Sequence, residues 1–244
     1  MVSSAHPIAS KIGLDILKNG GNAFDAAIAV HFALSVVYPN AGNIGGGGFL
    51  VYRLNNGDIG TLDFREKAPE KSYRDMYIDD IEGELKVDDK RSKIGHLASG
   101  VPGSVDGMVK IYDKFSTVDW KTLLEPSIKV AREGFGVTEK QAKGLNNVKK
   151  SLLSANDHPI PFVKVDQWKV GDILTQKNLA NTLEEIKKSK RDGFYKGAVA
   201  ELIINEMKSG GGIITQSDLD NYSSVWREPV IGYFKNHKII SMGP

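Results

Sequence analysis

The hydrophobic positions of this chain change period several times, and each change marks an element. Ile8, Ile12, Ile16 and Leu17 recur at helical spacing over residues 7–18, and Gly20-Gly21 supplies a stop. Asn22 then caps a second predicted helix over 23–37, closed by Pro39. The stretch 23–38 is the most apolar of the chain. Its length of about 16 residues falls short of the roughly 20 that a membrane span needs, and it carries Asp25 and His31. It reads as a buried helix, with Ala23, Ala26, Ala27, Ala29 and Ala33 allowing neighbouring layers to approach closely. A glycine-rich loop covers 39–48. Strand-like runs follow at 49–54 and 59–64, joined by Asn55-Asn56-Gly57-Asp58, whose Asn-Gly pair suits a type I′ hairpin turn.

Beyond Pro69 the pattern loosens, and 72–100 reads as an irregular polar excursion. Helical spacing returns at 104–114, 120–133, 139–153, 176–187 and 195–208, the last stopped by Gly210-Gly211-Gly212. A short helix over 215–222 has Thr215 as its cap, and 229–242 alternates as strands. No internal repeat or Ser/Gly linker divides the chain. The order of helices, a hairpin, many helices and then strand predicts a mixed α/β layered domain over 1–244 that ends mid-sheet.

Composition narrows the function classes. The chain is 41% hydrophobic and 25% charged, ordinary for a folded domain. The formal net charge of +2 lacks the basic excess of a nucleic-acid binder. The absence of cysteine removes disulfides, thiolate zinc sites, iron–sulfur clusters and cysteine nucleophiles together. Five histidines are scattered with no i,i+4 pair, so no helical two-histidine zinc motif exists. Met1-Val-Ser-Ser-Ala-His-Pro is not a signal peptide, which implies either a cytosolic protein or a leader already removed.

Several groups of residues invite a chemical reading. The run Asn43-Ile-Gly-Gly-Gly-Gly48 leads into a strand and has no following lysine, so it is a poor phosphate loop. It reads instead as a loop that needs positive φ and close backbone packing, or close approach to a ligand. Strand alternation puts Thr61, Asp63 and Arg65 on one face and Leu62 and Phe64 on the core face. Arg65 sits where the strand hands over to a loop. There it either pairs with Asp63 or Glu66 or grips a ligand carboxylate with two parallel hydrogen bonds. His96 and Ser99 form a dyad only on paper, since no Gly-x-Ser-x-Gly elbow surrounds Ser99 and nothing orients His96. Pro102-Gly103-Ser104 reads as a turn into a capped helix. Lys187, Lys188, Lys190 and Arg191 read as a solvated helix end, and Asp25 and His31 as satisfied core groups. The pairs Asp79-Asp80 and Asp88-Asp89 read as solvated loop with no metal-ligand spacing.

At these same residues the chain resembles a known family. Asn19-Gly-Gly-Asn-Ala-Phe-Asp-Ala-Ala, Gly42-Asn-Ile-Gly-Gly-Gly-Gly-Phe, Asp63-Phe-Arg-Glu-Lys-Ala-Pro and Ala98-Ser-Gly-Val-Pro-Gly-Ser-Val are similar to the large subunit of γ-glutamyltranspeptidases. So are Arg132-Glu-Gly-Phe, Asp192-Gly-Phe-Tyr-Lys-Gly and Gly211-Gly-Ile-Ile-Thr-Gln-Ser-Asp-Leu. The resemblance implies an N-terminal nucleophile hydrolase fold, a four-layer αββα sandwich that this chain holds only in part. It implies a precursor that cleaves itself into large and small subunits. The small subunit's new N-terminal threonine then attacks a γ-glutamyl amide, its own α-amine acting as base. The donor would be glutathione or another γ-glutamyl amide, the acceptor an amino acid, a peptide or water. No metal or organic cofactor is implied, and the location would be periplasmic or secreted.

The resemblance maps one substrate-binding residue, the arginine of Asp-Phe-Arg-Glu, onto Arg65, where it would hold the α-carboxylate of the γ-glutamyl group. Glu66 would support it. No nucleophile maps here: Thr61, Thr117, Thr138 and Thr215 are internal. The chain stops at Ser241-Met-Gly-Pro, so the nucleophile would lie downstream, and this polypeptide alone would be inactive with open sheet edges. Alternatives on the same scaffold are a cephalosporin or glutaryl acylase, a capsule-anchoring transpeptidase, or a non-catalytic binding domain.

Overall fold

The computed structural model describes residues 1–81, 84–87 and 90–243. Helix α1 (Pro7–Lys18) begins with proline at its first turn and is followed by α2 (Ala23–Val37). Asn22 caps α2 through a reciprocal capping box with Asp25, as the pattern of a polar cap and an acidic third residue requires. Helix α2 is apolar on nearly all sides, and a helix of that kind is stable only when enclosed. Ala29 and Phe32 are fully buried, with α1 on one side and α4 (Trp120–Glu133) on another. The predicted bounds of α1, α2 and α4 coincide with the observed ones because each has a local cap and a local stop.

Strands β1 (Phe49–Arg53) and β2 (Ile59–Asp63) pair antiparallel, with Leu50 opposite Leu62 and Val51 opposite Thr61. Their turn differs from the type I′ expectation. The Gly57 amide donates to Leu54 and the Leu54 amide to Asp58, and only Gly57, at φ 94°, takes the left-handed region. This is the three-residue loop in which a tight turn ends on a left-handed glycine. The β2 strand is central, because β7 (Val225–Arg227) pairs on its other edge with Leu62 opposite Trp226. One sheet face, with Leu50, Leu62 and Trp226, joins the core against α2 and α3 (Ser104–Phe115). The Tyr52, Phe115, Phe24 and Trp226 rings meet edge to face or stacked there. The other face carries Phe49, Val51 and Val225, which are 48%, 43% and 40% exposed.

The excursion over 72–100 is more ordered than its composition implies. Strands β3 (Ile78–Ile81) and β4 (Glu84–Val87) form a hairpin, and His96–Ala98 a short 3₁₀ turn. Asp79 pairs with Arg91 at 2.7 Å, while Asp88 and Asp89 lie outside the described residues. Strands β5 (Phe135–Gly136) and β6 (Ile173–Leu174) bracket α5 (Glu139–Ala155), and the sequence pattern does not reveal them. Helices α6 (Lys177–Ser189), α7 (Asp192–Tyr195), α8 (Gly197–Ser209) and α9 (Gln216–Asn221) complete the helical layer. The strand run expected at the end is a separate hairpin of β8 (Val230–Phe234) and β9 (His237–Ser241), apart from the β1–β2–β7 sheet. Among the described residues no helix is long and apolar enough to cross a membrane.

At the expected solvated end over 187–191 Lys188 is exposed as expected, but Lys187, Lys190 and Arg191 are paired. Lys187 bridges Glu184 and Glu125 at 2.6 and 2.9 Å, and Lys190 meets Asp113 at 3.0 Å. Arg191 donates to buried Asp106 at 2.8 Å and to the carbonyls of Leu219, Asp220 and Tyr222. It ties α7, α3 and α9 together, a role that a guanidinium's fork of donors suits better than an ammonium.

Candidate functional site

Arg65 leaves β2 one residue after Phe64, and the two are set by opposite environments. Phe64 is 4% exposed, its ring edge-to-face with His31 at 6.2 Å. Arg65 emerges on the other face, its side chain 40% exposed, with Cζ 4.8 Å from the centre of the Phe49 ring. The expected split into a polar and a core face holds, but Thr61 and Asp63 are themselves buried at 2% and 9%.

Asp63 is the partner that holds Arg65. Arg65 Nε donates to Oδ1 at 3.3 Å, Nη2 to Oδ2 at 3.2 Å, and the Arg65 amide to Oδ1 at 3.0 Å. Arg227 Nε reaches the same carboxylate at 2.9 Å from β7. Burial alone would raise the Asp63 pKa. The hydrogen bonds from Arg65 and Arg227 outweigh it and bring the pKa down to about 2. The carboxylate therefore stays charged at any physiological pH. Fixed at two of its five donors, Arg65 keeps the edge that includes Nη1 free of partners among the described residues.

The glycine run is the floor under this arginine. None of Gly45, Gly46, Gly47 or Gly48 adopts positive φ, contrary to one half of the expectation. The other half, close backbone packing, is what the loop needs. A Cβ on Gly47 would lie 2.5 Å from the Phe64 carbonyl oxygen and 2.7 Å from the Arg65 Cα. The Gly48 and Phe64 backbones exchange hydrogen bonds at 3.2 and 3.0 Å. The Gly46 carbonyl accepts from the Gly103 and Ser104 amides at 2.8 and 3.0 Å, which supplies the start of α3 without a side-chain cap. A Cβ on Gly103 would overlap the Tyr222 hydroxyl, which donates to the Arg65 carbonyl at 2.7 Å. Loop, strand end, α3 start and the residue after α9 thus converge on the backbone of Arg65.

Glu66 is exposed and packs its Cβ against Gly100, with its carboxylate over Gly46. It makes no side-chain hydrogen bond to a described residue. Arg65 and Glu66 both reach solvent on this face. A groove of about 340 Å³ lined by Val199, Ile203 and Met207 reaches the neighbouring loops at Ile44, Gly45, Ser99, Gly100 and Pro102, and neither Arg65 nor Glu66 lines it.

The remaining candidate groups have structural partners. His96 is oriented after all: its Nε2 is 2.8 Å from Glu206 Oε1. Asp25 is satisfied as expected, accepting from the amides of Asn22 and Thr117 and from the Thr117 hydroxyl at 2.8 Å. His31 is not, since its buried Nε2 has no hydrogen-bond partner. The hydroxyls of the four threonines weighed above are engaged: Thr61 donates to the Arg227 carbonyl, Thr117 to Asp25, Thr138 caps α5 and Thr215 caps α9. Arg227 and Tyr222 are site residues that sequence reasoning missed. The one available signal was the Trp226/Arg227 alternation, which marks a strand too short to stand out.

A layered scaffold with helices on one face of a sheet, and an arginine braced at the end of its central strand, is matched closely among solved structures. Over the whole chain it superposes on Helicobacter pylori γ-glutamyltranspeptidase with a TM-score of 0.95 and 46% identity, covering 70% of that chain. It superposes on a cephalosporin acylase from Bacillus halodurans with a TM-score of 0.86 and 26% identity, covering 46% of that chain. The class is thus that of the N-terminal nucleophile hydrolases. The family model for γ-glutamyltranspeptidase matches residues 9–244, and the chain belongs to that family as the N-terminal part of a large subunit. It is 44% identical over its full length to the glutathione hydrolase proenzyme of Escherichia coli strain K12, and spans 42% of that relative's length.

Proposed function

We propose that this chain supplies the γ-glutamyl-binding scaffold of an enzyme that hydrolyses or transfers γ-glutamyl groups from glutathione and related amides. The observation that carries this reading is Arg65: a guanidinium fixed by Asp63 on one edge, open on the other and 40% exposed. That open edge suits the α-carboxylate of a γ-glutamyl group, because a planar carboxylate accepts two parallel hydrogen bonds. Glu66, with its free carboxylate one residue on, adds the charge that a neighbouring α-ammonium needs.

The nucleophile belongs to the part of the precursor that follows, as the N-terminal threonine of a small subunit. Its hydroxyl oxygen would attack the γ-carbonyl while its α-amine takes the proton. The C–N bond then breaks, the amine leaves with that proton, and water or an acceptor amine releases the glutamyl group. The small subunit is the expected protein partner, and a periplasmic or secreted location fits such a precursor. The glutathione hydrolase relative is closer in sequence than the acylase, which favours a glutamyl over a glutaryl donor.

The test is Arg65→Lys and Arg65→Ala in the complete precursor. Both variants should mature, since self-cleavage needs the threonine and not the substrate carboxylate. Arg65→Ala should lower kcat/KM for a γ-glutamyl anilide by about 10²-fold, and Arg65→Lys by less, because it keeps the charge and loses the fork. Wild-type kcat/KM in a matured Arg65→Ala enzyme would place the carboxylate clamp elsewhere.

A further inference from the structure

We infer that Asp63 is a positioning residue for Arg65 and that Arg227, from β7, holds Asp63 in place for that role; this rests on the reading of Arg65 as the carboxylate-binding residue. The geometry is specific. Asp63 and Arg65 are two apart on an extended backbone, so both side chains leave on the same face. Asp63 takes the Nε–Nη2 edge of the guanidinium and also the Arg65 amide, at 3.3, 3.2 and 3.0 Å. The amide bond fixes the carboxylate to the main chain, and the two side-chain bonds then fix the guanidinium to the carboxylate. Phe49 covers one face of the guanidinium, so its plane is set as well as its edge.

Arg227 completes the brace from a strand 164 residues away. It stands opposite Thr61 on β7, so its side chain crosses diagonally to reach Asp63 Oδ2 at 2.9 Å. Asp63 is 9% exposed, whereas the Arg65 and Arg227 side chains are 40% and 47% exposed. A buried carboxylate under two outward guanidiniums leaves one net positive charge, displayed on the open side. Because Arg227 shares Asp63, the Asp63 carboxylate does not by itself neutralise Arg65, whose remaining edge stays open to an incoming carboxylate. Its low pKa keeps the brace charged through the pH range in which the enzyme would work.

The experiment is a double-mutant cycle on the matured complete enzyme, reading KM and kcat for a γ-glutamyl anilide separately. Asp63→Asn keeps size and loses charge, leaving Arg65 present but misaimed. It should raise KM about tenfold with kcat changed less than about threefold. In an Arg65→Ala background the same Asp63→Asn change should alter KM less than about twofold, because nothing remains to be positioned. If Asp63→Asn does not mature, Arg227→Gln, which loosens Asp63 from outside, takes its place with the same expectations. Equal effects in both backgrounds, or an unchanged KM, would overturn the positioning role and leave a structural ion pair. If Arg65→Ala itself keeps the wild-type KM, the carboxylate reading fails, and the inference built on it fails with it.

Discussion

His31 sits on α2 among apolar side chains, with its Nε2 buried and unpartnered. Burial holds its pKa down, at about 4 against an ordinary 6.5. Between those two values the unfolded chain binds a proton that the folded chain refuses. Stability is therefore complete above about pH 6.5 and is lost as pH falls toward 4, on the order of 3 kcal/mol for this one side chain. His6 is lowered by burial too, against a hydrogen bond with Gln141, and acts in the same direction. Asp63 acts lower on the scale: its stabilisation is present above an ordinary 3.8 and lost as pH approaches 2. Urea midpoints measured from pH 7 to pH 4.5 should fall, and the fall should shrink in His31→Leu. A slope identical in both proteins would show that His31 is solvated in the folded state.

At the scale of elements, the α1–α2–α3 assembly depends on Asp25 as much as on its apolar faces. This fully buried carboxylate closes the α2 capping box and accepts from Thr117 at the end of α3. Asp25→Ala would strand those donors, and we expect a loss of about 3 kcal/mol in a denaturant titration, against less than about 1 kcal/mol for an exposed cap. The glycine loop makes a second element-scale prediction. Gly47→Ala would push a methyl into the Phe64–Arg65 backbone. It should cost about 1–3 kcal/mol and raise donor KM in the complete enzyme. An unchanged KM would separate the loop from the site. These elements also show what was legible in the chain. Caps such as Asn22, Thr138 and Thr215 act within three residues of themselves, so a local pattern announces them. The β7 strand is three residues long and exists because β2 lies beside it, and the Asp63–Arg227 contact depends on that pairing. Arg191 looked solvated because its neighbours in sequence are lysines, while its partners are carbonyls and a carboxylate folded onto it from α3 and α9. Arg65 was visible as a strand-end arginine; its free edge was not, since that depends on which donors Asp63 occupies.

For the molecule as a whole, the helical layer covers one face of the β1–β2–β7 sheet, and the opposite face presents Phe49, Val51 and Val225 beside Arg65. The β8–β9 hairpin exposes Tyr233 and Phe234 at 76% and 62%. Apolar surface and open strand edges of this kind drive association. The chain on its own should self-associate and bind an apolar dye; a monomer that melts cooperatively and binds none would be a self-contained domain. With every candidate threonine hydroxyl engaged in structure, the isolated chain should also release no product from a γ-glutamyl anilide. Turnover above a heat-inactivated control would contradict that.

The central claim is that Arg65 reads the α-carboxylate of a γ-glutamyl donor. The most direct measurement compares two anilides on matured wild-type and Arg65→Ala enzymes, one γ-glutamyl and one a 4-aminobutyryl analogue that lacks only the α-carboxylate. Wild type should prefer the γ-glutamyl compound by about 10²-fold in kcat/KM, and Arg65→Ala should lose most of that preference, because both substrates then lack the same contact. If Arg65→Ala keeps the full preference, the carboxylate is read by another residue, and the site described here is a strand-end ion pair.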